Sequence, residues 1–520
     1  MKSYDIIFIH PPRLLKANYT KFRTFSRSSF IFFPMGMLAI ADFCEREGFS
    51  TQIINVPMEQ CFDPTWSLEN FLKGIDFKIC GIDLHWSLHS NGAMEVAKIV
   101  KKVNPNAEVI LGGFTATYYH DEILKYYKAV DGVIRGEGEV PFLNYVQNIT
   151  HNRSVDEVPN LSYRASNQQI KINPISYVAK TLDNLDFTNI SLMHHGKEYL
   201  EQSRHIMAMP FNLAIARGCP FQCPLCGGGR ESQVLLNKRH KVLFRSPERL
   251  IEDLSRIFDN YDPDGVYFGH GTYPSNFPYW KTLFKLIRKE KFDLCADLEI
   301  WRCPFPKEMW YEFYKTFRRK NSSISICPRT FSTRVQQKVA KICDPTFQFP
   351  PNQIQDLIKN ANLFRMVLRI WLTIGFPFQT LTDLINDYLY TIKLSFQYGT
   401  SHFKPITVMT DMVYVSPASP AFENPERYEL KLTFKTFRQA ADLYRRTKFS
   451  IGGWNTVMNY RTTHFSGPAI RMWNLLFLVT EIPMFLSSFP RDPVKREEER
   501  KKKENRQLFQ ALNDNERYKN

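Results

Sequence analysis

Residues 219–226 carry three cysteines, Cys219, Cys223 and Cys226, at CxxxCxxC spacing, between the apolar run Phe211–Arg217 and the glycines Gly227, Gly228 and Gly229. Any fold for this chain has to bring those thiols onto one tight loop. Three thiolates can hold three corners of a cubane iron–sulfur cluster and leave the fourth iron with an open position, which catalysis needs. The glycines let backbone approach a bound ligand closely. A structural zinc loop would need a fourth ligand, and a ferredoxin-type site a fourth cysteine. The other cysteines, Cys44, Cys61, Cys80, Cys295, Cys303, Cys327 and Cys343, are isolated in sequence. Zinc binding or redox sensing is the alternative reading of the loop.

A chain of 520 residues with 43% apolar residues predicts two or three domains with large cores. Ten cysteines without a paired pattern point to a reducing compartment, and the expected location is the cytoplasm. The start, Met1 to Pro12, reads as a buried strand, too short and too β-branched for a signal peptide. The formal charge is +16 but is not gathered into one basic arm. The tail from Arg491 carries ten Lys/Arg against seven Asp/Glu and reads as a solvated end. The basic stretch Arg302–Lys341 could face an anionic substrate or RNA, but a solvated face is the preferred reading, and nucleic acid is not the expected partner. The apolar run Met472–Leu486 is broken by Glu481 and Pro483 and is too short to span a bilayer. It predicts a buried helix, with an interfacial helix as the alternative.

From Met1 to about Pro159, strand-like runs alternate with helical ones. The strands are Ile6–His10, Thr51–Val56, Ile79–Leu84, Glu108–Leu111 and Gly132–Arg135; the helices include Met35–Glu47 and Gly92–Val103. Such alternation predicts a doubly wound, Rossmann-like parallel sheet that binds ligands at the carboxyl ends of its strands. The loops at those ends supply the candidate contacts: Pro11 and Pro12; His85 to His89; Gly112, Gly113 and Thr115; Gly136, Glu137, Gly138 and Glu139. No GxGxxG follows the first strand, so a dinucleotide fingerprint is absent.

A second β/α series begins at about Asn212. Phe211–Arg217 is the strand that delivers the cysteine loop. Ser246, Pro247 and Glu248 open a helix that runs to Tyr261. Gly265–Phe268, Leu294–Ile300, Ile324–Cys327 and Leu368–Ile374 are further strands, the pattern of a partial (β/α) barrel with its site at the strand C-termini. The expected organisation is an α/β chain: residues 1–159 as the first domain, 160–204 as a linker, 205–450 as the barrel, and 451–520 as a helical C-terminal region with a charged tail.

Ala216-Arg217-Gly218-Cys219-Pro220-Phe221-Gln222-Cys223-Pro224-Leu225-Cys226 resembles the signature of the radical S-adenosylmethionine (SAM) superfamily, with Leu225 where an aromatic residue is usual. Leu111–Tyr119 and Val130–Glu139 resemble the cobalamin-binding domain fused to many of those enzymes. The resemblance implies a 4Fe–4S cluster on Cys219, Cys223 and Cys226, SAM on the open iron, and cobalamin over the first sheet. It implies SAM contacts from Leu225, from Gly269 and Gly271 after the second barrel strand, and from Gly375 and Pro377 in the later glycine motif, where Phe378 and Gln379 replace Gly and Glu. The base-off cobalamin pattern DxHxxG is missing after the first strand. Asp83-Leu84-His85 matches it in part, and no cobalt-ligating histidine is expected. Arg329 stands where relatives carry a carboxylate near SAM or substrate. A buried guanidinium needs an anionic mate, in substrate or protein.

The activity implied is methyl transfer to an unactivated atom of a small-molecule or peptide substrate, an anionic one if substrate is the mate of Arg329, with a flavodoxin or ferredoxin as electron donor. The alternatives are rearrangement or cyclisation without methyl transfer, and a non-catalytic cofactor sensor. No protein acid or base is assigned.

Overall fold

The computed structural model describes residues 2–13, 34–206, 211–261, 263–343, 349–399, 406–411, 413–446 and 458–488. The charged tail and much of the expected barrel–helix junction fall outside these residues.

The first sheet is built from β1 (Lys2–His10), β2 (Thr51–Asn55), β3 (Ile75–Asp83), β4 (Glu108–Gly112), β5 (Gly132–Ile134), β6 (Leu161–Arg164) and β7 (Ile170–Ile172). Its order is β2-β1-β3-β4-β5-β6-β7. The first five strands pair in parallel, and β6 and β7 are antiparallel. Period-two packing explains why the inner half of β1 is a continuous apolar run: Ile6 and Phe8 enter one core, Ile7 and Ile9 the other, because helices cover both faces. Residues 160–204 are more than the linker read from sequence, since β6 and β7 extend the sheet past Pro159.

The second sheet follows through β8 (Phe211–Leu213), β9 (Ala216–Arg217), β10 (Leu243–Phe244), β11 (Gly265–Phe268), β12 (Cys295–Ile300), β13 (Ser323–Arg329), β14 (Val367–Thr373) and β15 (Ile406–Asp411). Six of these form an all-parallel sheet ordered β15-β14-β13-β12-β11-β8. The sequence reads Phe211–Arg217 as one strand, but the structure breaks it. β8 stays in the large sheet, while β9 leaves it and pairs antiparallel with β10. That departure carries the chain out to the cysteines.

The helix Pro247–Tyr261 starts where its capping signals place it, with Ser246 Oγ accepting from Arg249 N at 3.2 Å. One continuous core holds Phe8 and Phe142 of the first unit with Phe268, Trp280 and Phe284 of the second. The apolar C-terminal run lies in the helix Gly467–Ser488, which buries Ile470, Asn474 and Phe477 and exposes Met472, Leu475 and Leu476. Among the described residues no helix is long and apolar enough to cross a membrane.

Candidate active site

The cysteine loop is held by backbone rather than by regular structure. Gly218 has φ +96°, a conformation an L side chain resists, and it turns the chain from β9 into Cys219. Arg230 N donates to Phe221 O at 2.8 Å and Glu231 N to Gln222 Oε1 at 2.8 Å, closing the loop onto the helix Arg230–Asn237. On its other side, Ser416 N donates to Leu225 O at 3.1 Å and Ala421 N to Pro224 O at 3.0 Å. A Cβ at Gly227 would lie 2.5 Å from Pro417 O, so only glycine permits that approach. Gly228 N donates to Cys226 Sγ at 3.4 Å, a bond that favours thiolate. Burial pushes the Cys219 thiol up to about 12, so a bound metal has to displace its proton.

The thiols suit a cluster better than a single ion. Zinc at 2.3 Å from each sulfur would draw the sulfurs to about 3.8 Å apart. Among the described residues, the only group whose ligand atoms all converge within 4.8 Å is Glu59, His194 and His195. The cysteines run from partly buried to exposed, which leaves their loop open on one side.

The strand ends of the first sheet come directly against this loop. The His85 ring stacks on Phe114 with centroids 4.7 Å apart, and Phe114 Cε2 is 3.6 Å from the position a Cβ would take on Gly228. Gly113, at φ +106°, makes the turn possible; its Cβ would lie 2.7 Å from His85 N. Thr115 is buried and donates through Oγ1 to His85 O at 2.9 Å. Gly112 is more open, its nearest neighbour being Ile134 O at 4.0 Å from an added Cβ. Pro11 and Pro12 are buried, and a Cβ on Gly92 would meet Pro12 O at 1.6 Å. Below them His10 Nδ1 meets Asp83 Oδ2 at 2.9 Å, and the His10 and His89 rings meet edge to face. Burial pushes His85 below its ordinary pKa and His89 down to about 3, so both are neutral imidazoles at pH 7.

The last candidate loop has a different neighbourhood. Glu137 is buried and receives Arg239 through Nε at 2.5 Å and Nη2 at 2.9 Å, and Arg217 Nη1 at 3.0 Å. Glu139 pairs with the same Arg217. Gly136, at φ +70°, packs on Leu236 and Asn237, and Gly138 on Ile40. These residues join the first sheet to the residue two before Cys219. The sequence offered no signal for this, because Glu137 and Arg239 are 102 residues apart.

The barrel mouth gathers the remaining candidates. Gly269 is exposed, with an added Cβ 3.2 Å from Leu213 O, whereas Gly271 is buried and its Cβ would enter the Trp301 ring. Leu225 is buried in the core with Phe376, Phe378 and Val415. Gly375, at φ +78°, and Pro377 are buried too, and Gly375 N donates to Gln379 Oε1 at 2.9 Å. Gln379 Nε2 donates to the buried Asp387 at 3.0 Å, which is why an amide stands where the motif usually has an acid.

Arg329 has its anionic mate in the protein. Its Nη1 donates to Asp411 Oδ2 at 3.0 Å and to Thr373 Oγ1 at 3.2 Å. Burial works against the charge, but Asp411 and the Cys327, Cys223 and Cys226 thiols outweigh it and hold the pKa above its ordinary value. No substrate anion is needed to balance this residue.

A family model described as the B12 binding domain matches residues 25–146, the span that contains His85, Gly113 and Phe114. The chain is 25% identical over 370 residues to an uncharacterized methyltransferase of Pyrococcus horikoshii, covering 70% of this chain and 74% of that one. It is 20% identical over 456 residues to cytidylyl-2-hydroxyethylphosphonate methyltransferase of Streptomyces wedmorensis, covering 78% and 81%. Its fold is similar to that of the radical SAM methyltransferase TsrM from Kitasatospora setae, with a TM-score of 0.63 at 12% identity over 95% of this chain and 90% of that one. The chain thus carries a match to the B12 binding domain and has the fold of a cobalamin-dependent radical SAM methyltransferase. In this chain the strand ends of the span matched by the B12 binding domain and the cysteine loop are packed against each other through Phe114.

Proposed function

We propose that this protein is a cobalamin-dependent radical SAM methyltransferase acting on a small-molecule or peptide substrate. The observation that carries the reading is the His85–Phe114–Gly228 contact, which sets the carboxyl end of a B12-binding sheet beside a three-cysteine loop. When bound, the cluster with SAM supplies radical hydrogen abstraction and cobalamin supplies a methyl carrier.

Cys219, Cys223 and Cys226 would hold three irons, with the Gly228 N–H stabilising the Cys226 thiolate. Exposed Gly269 offers backbone to SAM, and Arg329, fixed by Asp411 and Thr373, sets a positive charge beside the thiols. Gly112 and His85 would line the cobalamin face, with Gly113 and Thr115 shaping the turn behind them. Pro12, seated on Gly92, fixes the end of β1 beneath that face. Glu137, Arg217 and Arg239 hold the two units in register, so that the cofactors, when bound, would share one space. Neutral His85 and His89 neither repel nor attract an anionic tail there. An external one-electron donor, a flavodoxin or ferredoxin, and a reducing cytoplasm fit ten free cysteines.

The test is anaerobic reconstitution with iron, sulfide and cobalamin, followed by mass analysis after SAM and a reductant are added. S-adenosylhomocysteine together with 5′-deoxyadenosine supports the reading. 5′-Deoxyadenosine alone would indicate rearrangement or cyclisation, and neither product would indicate a sensor.

A further inference from the structure

Away from the cysteine loop, at the edge of the first sheet, two consecutive histidines converge on one buried carboxylate. Glu59 lies in the helix Val56–Phe62 that follows β2, and only 2% of its side chain is exposed. His194 Nδ1 is 2.8 Å from its Oε1, and His195 Nδ1 is 2.9 Å from its Oε2. Among the described residues its ion-pair partners are these two imidazoles, with no lysine or arginine. A buried carboxylate needs a cation or a full set of donors.

The backbone is arranged for the convergence. His194 N donates to Ile53 O at 2.8 Å, tying the segment to β2 beside the Ile53–Met193 bridge. His195 has φ +51°, an uncommon state for a residue with a Cβ. In extended chain two successive side chains point to opposite sides; the left-handed turn at His195 swings both rings to the same side. The edges of Phe71 and Phe62 fence the two rings. His194 and His195 are 28% and 46% exposed, so water reaches the side away from Glu59.

Donors now 2.8 and 2.9 Å from their carboxylate oxygens would need to part only to about 3.3 Å to become tetrahedral neighbours on one ion with bonds of about 2.0–2.1 Å. The paired Nδ1 atoms, a buried carboxylate with no lysine or arginine partner among the described residues, and the left-handed His195 together favour the ion. We propose that Glu59, His194 and His195 form a second metal site, independent of the cluster, that takes one divalent borderline cation such as zinc, with water completing its coordination. Two nitrogens and one carboxylate suit such an ion better than calcium or magnesium, which prefer all-oxygen shells. The ion would pin the segment that leads into β8 onto the edge of the B12-binding sheet.

The test uses the full chain with its cluster and cobalamin already loaded, so that the cysteines cannot take the probe. Zinc is added, excess is removed by gel filtration, and zinc, iron and cobalt are counted together with the thermal midpoint. One zinc per chain and a raised midpoint are expected. Glu59→Gln, which keeps the shape, should weaken zinc binding by more than about tenfold and abolish the zinc-dependent shift. His195→Asn, which tolerates the left-handed backbone, should do the same, with iron and cobalt unchanged. Failure of the loaded wild-type protein to retain zinc, or retention undiminished in both variants, would overturn the proposal and leave a closed hydrogen-bond network.

Discussion

Arg239 grips Glu137 with two nitrogens, Nε at 2.5 Å and Nη2 at 2.9 Å, and so joins the sheet that carries the B12-binding loops to the chain just beyond the cysteines. The third Arg239 contact, Nη2 to Ala179 O at 2.8 Å, ties in the connecting segment. Two-pronged pairing of this kind fixes orientation as well as charge.

Glu137→Gln should therefore be costly, because it leaves Arg239 and part of Arg217 without a counter-charge in a buried place. A loss of about 3–5 kcal/mol is expected, read by denaturant unfolding. Burial raises the Glu137 pKa, but Arg239 and Arg217 outweigh it and hold it below its ordinary value. Its stabilisation is thus present above the ordinary carboxylate range and is lost as pH falls through the depressed folded value. In the wild type, stability should fall below about pH 4 by more than in the variant. Parallel pH profiles would show that the pair is not stabilising.

Gln379 and Asp387 make a second, separable test. Burial pushes Asp387 up to about 7, despite donors from Thr330, Phe331 and Gln379. A raised acid keeps its proton in the fold while the unfolded chain loses it, so stability drops from about pH 4 to about pH 7 and then levels. Gln379→Glu restores the usual motif acid but sets a second carboxylate on Asp387; a loss of about 2 kcal/mol at pH 8 is expected. Asp387→Asn alone sets donor against donor. The double variant regains an amide–carboxylate pair and should recover most of both losses. Additive losses in the double variant would contradict the account.

Gly227→Ala should strip the cluster without unfolding the chain. The new Cβ would lie 2.5 Å from Pro417 O and 2.8 Å from Ser416 Cβ, and backbone has to move. Gly36→Ala is the control, with nothing within 4 Å of the added methyl. Iron per chain should fall several-fold in the first and stay unchanged in the second; equal iron in both would show that the loop tolerates displacement.

Cobalt should have no nitrogen ligand from this chain. The His85 ring is committed to the Phe114 stack, and the base-off pattern is missing after the first strand. The paramagnetic spectrum of the cob(II)alamin form should lack axial nitrogen splitting. A splitting that disappears in His85→Ala or His10→Ala would overturn this.

Much of the fold could be read from the chain because its signals are local. Ser246, Pro247 and the apolar spacing locate the helix to Tyr261, and alternating runs give the parallel strands of both sheets. The break inside Phe211–Arg217 was not legible, since both halves are extended and differ only in which strand they join. The Arg329 side chain called for an anion, but that it is Asp411, 82 residues on, depends on the strand order of the barrel. Glu137 looked like a cofactor contact because it sits in a glycine turn at a strand end. Its commitment to Arg217 and Arg239 is a tertiary fact. Long-range ion pairs leave no periodicity for a sequence to show.

Cys219, Cys223 and Cys226 alone are expected to hold a cluster with one iron open to SAM. The most direct measurement is the electron paramagnetic resonance spectrum of the reduced, reconstituted protein before and after SAM is added. A 4Fe–4S signal that shifts on SAM addition, and that is missing together with the iron when all three cysteines are replaced by Ala, is the predicted result. A signal indifferent to SAM, or iron that survives the triple replacement, would contradict it.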